Sequence, residues 1–295
     1  MKPWIAVDWG TSRLRATRMG PGVPRETRES ADGMSRLTPD MFEPSLSALI
    51  DDWLDADGPT RIVICGMAGS RQGWAEAPYL PVPCPPLGAG LTRVATGDPR
   101  LDVRIVPGLS QTAPHPDVMR GEETQIAGIL SEIGDFDGVA CLPGTHTKWA
   151  HISAGEVVSF RTAMTGELFA TLCSETVLRH SLGGDGWSEA PFLDAVSDAL
   201  SRPERLTARL FELRAADLLH GQDATTSRSI LSGLLIGAEL AATKPWWLGR
   251  DVVVTGSETT TPAYAAALEA QGVRPRLLPA AEMTLAGLSA AKEIP

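Results

Sequence analysis

The sequence predicts an α/β protein of two similar lobes, each a mixed β-sheet flanked by helices, with an active-site cleft between them. Three observations lead there. The chain's 295 residues suggest roughly two domains. A strand, a Gly-Thr turn and a return strand occur at "IAVDWGTSRLRA" (5–16) and again at "VACLPGTHTKWAHI" (139–152). A third segment, "VVVTGSETTTPAY" (252–264), reads as strand, Gly turn, helix.

The elements follow in order. "WIAVDW" is an apolar strand and "RLRATRM" an alternating one. "PGVPRE" holds turn residues, and a third short strand is expected after it. "TPDMFEPSLSALIDDWLDA" (38–56) reads as a helix, with Thr38 or Asp40 as cap, Pro39 in the first turn, and Phe42, Leu46, Leu49, Ile50 and Trp53 at helical spacing. "RIVICG" (61–66) is a buried strand. Residues 67–118 are irregular and rich in Pro and Gly, with one strand at "VRIVPG" (103–108). A loop this long is functional or disordered, and Trp74, Tyr79 and Leu80 within it argue against disorder.

From residue 120 the plan repeats. "GEETQIAGILSEI" (121–133) is a helix whose acidic first turn suits its dipole. Strands are expected over 138–153 and 156–163, and the next hundred residues read as helical. In one of those helices Gly233 and Gly237 stand four apart, on a face suited to close packing. "VRPRLL" is a short strand and "AAEMTLAGLSAAKE" a last helix.

Composition excludes several classes. Hydrophobic residues at 43% and charged residues at 21% fit a soluble globular protein, long enough to bury a sizeable core. A net charge of −10 without a basic stripe argues against nucleic-acid binding. Any anion site is then local, built from a few Arg or Lys, backbone N–H groups or a metal. Cys65, Cys84, Cys141 and Cys173 form no C-x-x-C pair and are expected as free thiols. "MKPWIAVDWG" lacks the apolar core of a signal peptide, and no apolar stretch is long enough for a membrane span. The cytoplasm is the expected location. Partners are a small molecule and compatibly a homo-oligomer, with no nucleic acid and no membrane.

The chemistry concentrates in the turns. Gly admits positive φ and close ligand approach. Hydroxyls of Thr11, Ser12, Thr145 and Thr147, with the turn N–H groups, can cradle an anion. Asp8 offers a hard oxygen ligand for Mg²⁺. Each turn alone reads as an ordinary hairpin, and Gly256 alone as an ordinary strand-to-helix turn; together they point to a functional site. His146 and His151 have no partners at metal-ligand spacing. Neither a P-loop nor a G-x-G-x-x-G follows a strand.

This arrangement resembles the actin-like (ribonuclease H-like) superfamily of sugar kinases, heat-shock seventy proteins and actin. The two Gly-Thr hairpins correspond to its phosphate-1 and phosphate-2 loops, and the strand-Gly-helix to its adenosine motif. Nearly the whole chain, through "VDWGTSRLRA", "CGMAGSRQGW", "PYLPVPCPP", "VPGLSQ", "DVMRGEETQIAG", "CLPGTHTKW" and "MTGELF", is similar to the 2-dehydro-3-deoxygalactonokinase family. The resemblance implies ATP and Mg²⁺, and 2-dehydro-3-deoxy-D-galactonate phosphorylated on its 6-hydroxyl. The alternatives are a kinase for another sugar acid, such as the gluconate epimer, or a non-enzymatic actin-like nucleotide-binding module.

It also implies lobes at 1–118 and 119–280, with helix 281–293 packing back on the first. Asp8 falls in the Mg²⁺ shell. Gly10, Thr11 and Ser12 cradle phosphates, and Arg13 either joins them or is a solvated strand residue. Gly144, Thr145, His146 and Thr147 meet the β- and γ-phosphates, Lys148 adds charge or sits on the strand surface, and Gly256 admits the adenine. The base that orients the attacking hydroxyl falls at Glu122, then Glu123, then Asp117; relatives tend to use Asp there, and this chain has Glu. Gly33, Met34, Ser70, Arg71, Gln72, Trp74, Arg120 and Thr165 are the substrate candidates, Arg71 foremost for the carboxylate.

Overall fold

A computed structural model describes residues 2–23 and 25–294; Pro24 of the expected turn lies outside them. The chain divides into two compact units. Unit 1 comprises Met1–Asp137, Ile152–Phe160 and Ala280–Pro295, and unit 2 comprises Gly138–His151 and Arg161–Pro279.

Unit 1 begins with β1 (Trp4–Trp9), β2 (Leu14–Met19), β3 (Glu26–Ser30), α1 (Phe42–Ile50) and β4 (Thr60–Gly66). It continues with β5 (Tyr79–Pro81), β6 (Thr92–Arg93), β7 (Leu101–Ile105), β8 (Gly108–Gln111), β9 (Asp117–Met119) and α2 (Glu122–Ile133). The main sheet has the order β3-β2-β1-β4-β7-β6. The first three strands form an antiparallel meander, and β1, β4 and β7 run parallel.

Strand β1 is central because all its residues but Asp8 are apolar. Alternation sends Ile5, Val7 and Trp9 to one face, against Phe42 and Leu46 of α1. Trp4 and Ala6 go to the other, with Val63, Cys65 and Ala127. Each large side chain buried this way contributes about 1.5–3 kcal/mol.

The later elements are β10 (Gly138–Leu142), β11 (Thr147–Ser153), β12 (Glu156–Ala163), α3 (Thr165–Ser174), α4 (Glu189–Ser201), α5 (Leu206–His220), α6 (Ala224–Ala242), α7 (Lys244–Trp247), β13 (Val252–Gly256), α8 (Thr261–Glu269), β14 (Arg276–Pro279) and α9 (Ala280–Lys292). The second sheet runs β12-β11-β10-β13-β14. That is the order of the first sheet without its edge strand β6: a meander, then two strands added beside its first member. Helices α4 and α6 touch through Gly233 and Gly237, where a Cβ would lie 2.3 Å from Phe192 O and 2.5 Å from Val196 O. The close packing expected of these two glycines is therefore present.

Four expectations change. The α-helix within 38–56 covers only Phe42–Ile50, flanked by 3-10 turns at Pro39–Met41 and Asp51–Trp53. Thr38 does not cap it, because its hydroxyl donates to the Asp40 carboxylate at 2.6 Å. The 67–118 region holds a small sheet, β5-β8-β9, and its expected single strand at 103–108 is split between β7 and β8. The first unit extends to Asp137 rather than 118, because α2 lies with α9 on the β1–β4 face, where Ala127, Leu288 and Ala291 join Val63 and Cys65. Residues 152–160 belong to unit 1 because Val157 N donates to Cys84 O at 2.9 Å and Phe160 N to Gln111 Oε1 at 2.9 Å. All four cysteines are free. Among the described residues no helix is long and apolar enough to cross a membrane.

Candidate active site

In unit 1 three chain segments converge at the C-terminal end of β1. The first is the turn after Trp9, closed by Gly10 N donating to Arg13 O at 2.9 Å. Thr11, Ser12 and Arg13 are exposed there. The second is the end of β4, where Gly66 has φ +88° and a Cβ would lie 2.6 Å from Trp9 O. The third is the start of α2, where Gly121 has φ +106° and packs on Gly66. Both glycines need positive φ, and a side chain at 66 would wedge β4 from β1.

Asp8 sits at this convergence, with its side chain 37% exposed and Arg15 Nη1 3.8 Å away. Loss of solvent raises its carboxyl above the usual range, and the Arg15 charge pulls it partly back. Arg15 is itself held by Glu29 at 2.7 Å. Cys65 Sγ lies 4.0 Å from Asp8 Oδ1.

The two glutamates of α2 differ in setting. Glu122 is half-buried, and its Oε2 accepts from Arg120 N at 3.1 Å. Glu123 is fully buried; Oε2 accepts from Gly121 N at 2.6 Å and Oε1 from Thr124 Oγ1 at 3.0 Å. Burial, and then repulsion from Glu122, pushes Glu123 up to about 7. A carboxyl raised in the folded state favours folding at low pH, and that contribution is lost as pH rises from about 4.5 through about 7. Glu123→Gln is accordingly expected to leave stability unchanged at pH 4 and to raise it by up to ~3 kcal/mol at pH 8. Urea unfolding at the two pH values measures this; an equal change at both would contradict it. Asp117 lies on β9, its Oδ1 accepting from Val118 N at 2.8 Å.

The other candidates in unit 1 take varied roles. Gly33 supports the turn: a Cβ there would lie 2.2 Å from Ser12 C, and Met34 N donates to Gly10 O at 3.1 Å. Met34 packs on the core. Trp74 is also a core residue, stacked on Phe42 with centroids 6.3 Å apart and edge-on to Trp9 at 6.1 Å. Arg13 pairs with Glu29 at 3.4 Å. Arg71 is 81% exposed and pairs with Glu76 at 3.5 Å. Gly33 and Met34 thus support the turn and the core beside it, and Trp74 is partly buried against Trp9 and Phe42. Ser70 and Arg120 are buried.

Unit 2 supplies a second cluster. Gly144, Thr145 and His146 are exposed on the β10–β11 turn. A Cβ on Gly144 would meet nothing, whereas one on Gly166 would lie 2.2 Å from Gly144 O. The α3 start therefore packs against the turn, and Glu167 N donates to Thr145 O at 2.9 Å. His146 Nε2 and Glu167 Oε2 are 2.6 Å apart. Thr147, Lys148 and Thr165 are buried. Thr147 Oγ1 bonds the Tyr264 hydroxyl at 2.9 Å, and Lys148 Nζ donates to Thr162 Oγ1 at 2.9 Å. Thr165 donates to Glu239, which also accepts from Trp149 Nε1 at 2.7 Å and the Tyr264 hydroxyl at 2.8 Å. The polar atoms of Thr147, Lys148 and Thr165 are thus engaged within unit 2, and Thr165 also lines the adjoining cavity. Burial raises the Glu239 carboxyl, and its three donors oppose the rise.

Beside the turn lies a cavity of about 540 Å³, walled by Gly144, Gly166, Phe169, Trp187, Arg228 and Tyr264 among others. Its size suits a nucleoside. Gly256 is not on the wall, and a Cβ there would lie 3.1 Å from the Thr260 and Thr261 hydroxyls. Thr259 and Thr260, just beyond it, are on the wall. Sequence reading missed Phe169, Trp187, Arg228 and Arg15. The half-exposed Trp187, in the Gly-rich "GGDGW", was the available signal.

A model of the 2-keto-3-deoxy-galactonokinase family matches residues 8–291. A Rhizobium meliloti (strain 1021) protein, "Probable 2-dehydro-3-deoxygalactonokinase DgoK1", is 41% identical over 294 residues, covering 98% of this chain and 96% of its own. The 2-dehydro-3-deoxygalactonokinase of Escherichia coli (strain K12) is 34% identical over 273 residues, covering 91% and 90%. A crystal structure of the 2-dehydro-3-deoxygalactonokinase type from Sinorhizobium meliloti superposes with a TM-score of 0.89 at 41% identity, over 98% of this chain and 95% of that one. The activator of 2-hydroxyisocaproyl-CoA dehydratase from Clostridium difficile shares the fold alone, with a TM-score of 0.50 at 11% identity, over 99% and 96%. Two sheets of matching strand order make this the actin-like, ribonuclease H-like architecture. The match runs through both units and nearly end to end: the chain belongs to the 2-keto-3-deoxy-galactonokinase family.

Proposed function

We propose that the chain transfers the γ-phosphoryl group of ATP to the 6-hydroxyl of 2-dehydro-3-deoxy-D-galactonate, giving 2-dehydro-3-deoxy-6-phosphogalactonate and ADP. The observation that carries this reading is the family match over residues 8–291. Placement of the acidic residues supports it: Asp8, Gly66 and the Gly121–Glu123 segment meet in unit 1.

Phosphoryl transfer depends on positioning and charge neutralisation more than on covalent chemistry. The cavity of unit 2 takes the nucleoside, and the exposed Gly144, Thr145 and His146 receive phosphate oxygens beside it. Within unit 1, the exposed Thr11 and Ser12 offer hydroxyls on the turn after β1. Asp8 fits Mg²⁺, which takes one or two carboxylates and completes its shell with phosphates and water. No group of three or more acidic, His or Cys ligands occurs among the described residues, so the phosphates would be indispensable ligands. The ion, when bound, neutralises phosphate charge. Glu122 accepts the hydroxyl proton, being the more exposed of the two glutamates, and Glu123 locks the α2 start through Gly121 N.

Release of ADP, coupled to a spectroscopic readout, tests the reading with 2-dehydro-3-deoxygalactonate, its gluconate epimer and a neutral hexose. The galactonate acid is expected to give the highest kcat/KM. Glu122→Gln is expected to reduce turnover by 10²–10⁴-fold, the range for a positioned acid–base group. Preference for the epimer would reassign the substrate. Absence of turnover with every sugar acid would leave a nucleotide-binding module.

A further inference from the structure

Arg120 carries a buried charge without a counterion. It is 9% exposed and, among the described residues, forms no ion pair. One arm is engaged: Nη2 donates to Ala77 O at 2.7 Å, and the guanidinium carbon lies 4.3 Å above the centre of the Tyr79 ring. Nε and Nη1 are buried with no acceptor. Nearby, the Ser70 hydroxyl is also buried with no partner. Gly69 joins these groups, since a Cβ on it would lie 2.7 Å from Arg120 Nη1. Any larger residue at 69 would displace the guanidinium edge.

Unpaired donors on a buried cation are costly and call for an explanation. The chain has ten more acidic than basic side chains, yet among the described residues none pairs with the Arg120 guanidinium. The open donors are Nε and Nη1, which lie on opposite sides of the guanidinium, so each offers a separate charged N–H to an anionic oxygen. A serine hydroxyl adds a third donor. The backbone N–H of Arg120 bonds Glu122 Oε2, so these donors belong to a residue tied to the proposed base.

We infer that Arg120 and Ser70 form a carboxylate-recognition site that selects the acid end of the substrate. The inference rests on the sugar-acid kinase reading and deepens it. Arg120 replaces Arg71 in that role, since Arg71 is mostly exposed and already paired with Glu76. Fixing the carboxylate two residues before Glu122 fixes which end of the acid reaches the base. It also accounts for a positive charge kept in a buried place: the ligand is the counterion.

The test uses the full chain and its Arg120→Gln, Arg120→Lys and Ser70→Ala variants. Thermal unfolding is followed alone, with 2-dehydro-3-deoxygalactonate, with its carboxylate-free alditol analogue, and with inorganic phosphate. Steady-state KM is measured for the acid and for ATP. For the unmodified chain, only the acid should raise Tm. Arg120→Gln should lose that rise, keep or increase the Tm of the free protein, and raise KM for the acid about 100-fold, with KM for ATP within twofold. Arg120→Lys should recover part of the affinity, and Ser70→Ala should raise KM for the acid several-fold without altering the fold.

A fall in free-protein Tm with unchanged KM for the acid would make Arg120 structural and overturn the inference. An equal response to the alditol or to phosphate would overturn the assignment to a carboxylate. Absence of turnover by the unmodified chain defeats the kinase reading alone, because the Tm shift by the acid and its loss in Arg120→Gln are measured without nucleotide.

Discussion

Asp8→Asn is expected to lower kcat roughly 10²–10³-fold, the cost of removing one group that stabilises transition-state charge, while Tm stays within about 2 °C. Both halves follow from the carboxyl's setting. In the proposed site Asp8 would be one oxygen ligand of Mg²⁺ at the end of β1, and no group of three or more metal-ligating side chains stands in for it among the described residues. Burial already disfavours its charge, so an amide of the same shape relieves that cost instead of adding one. Arg15 keeps Glu29 as a partner at 2.7 Å. ADP-release kinetics and thermal unfolding on one preparation measure the two effects. Near-normal kcat would remove Asp8 from the chemistry, and a collapsed Tm would make it structural.

The largest loss of stability is expected from Gly287→Ala. Helices α2 and α9 touch backbone to backbone: a Cβ on Gly287 would lie 1.8 Å from Thr124 O, and one on Gly128 would lie 2.0 Å from Met283 O. Alanine is the better helix former by about 1 kcal/mol. A carbon forced that close to a carbonyl oxygen must push the helices apart, and overpacking costs about 1–3 kcal/mol or more. The clash wins, because neither neighbour is a side chain that can swing away. A net loss of about 2–3 kcal/mol should show as a lower urea midpoint with an unchanged slope. Since α2 begins with Glu122 and Glu123, kcat should fall as well. A variant as stable as the parent would mean that the two helices can part without cost.

Much of this architecture is readable from local pattern. The buried strands β1, β4 and β10 stand out as apolar runs, the meanders as alternation, and the pair Gly233 and Gly237 as a close-packing face. Local pattern fails where a residue's meaning depends on what packs against it. Trp74 reads as a substrate candidate in a loop, and only the fold shows Phe42 and Trp9 packed on it. Thr147 reads as a phosphate contact and Thr165 as a substrate contact, but their hydroxyls bond Tyr264 and Glu239, 117 and 74 positions away. The strands β5, β8 and β9 are too short to carry a period, and only pairing with one another defines them.

The sequence by itself determined the order of elements, the two Gly-Thr turns and the acid at the end of β1, because turn chemistry and side-chain periodicity act over a few residues. Only the tertiary structure decided which polar groups are engaged and which are open. Arg71 and Arg120 are both arginines in polar segments of unit 1. One is exposed and paired with Glu76; the other is buried with two unpartnered nitrogens. Burial and partnership arise from residues distant in the chain, and they set whether a charge is solvated, neutralised or held for a ligand.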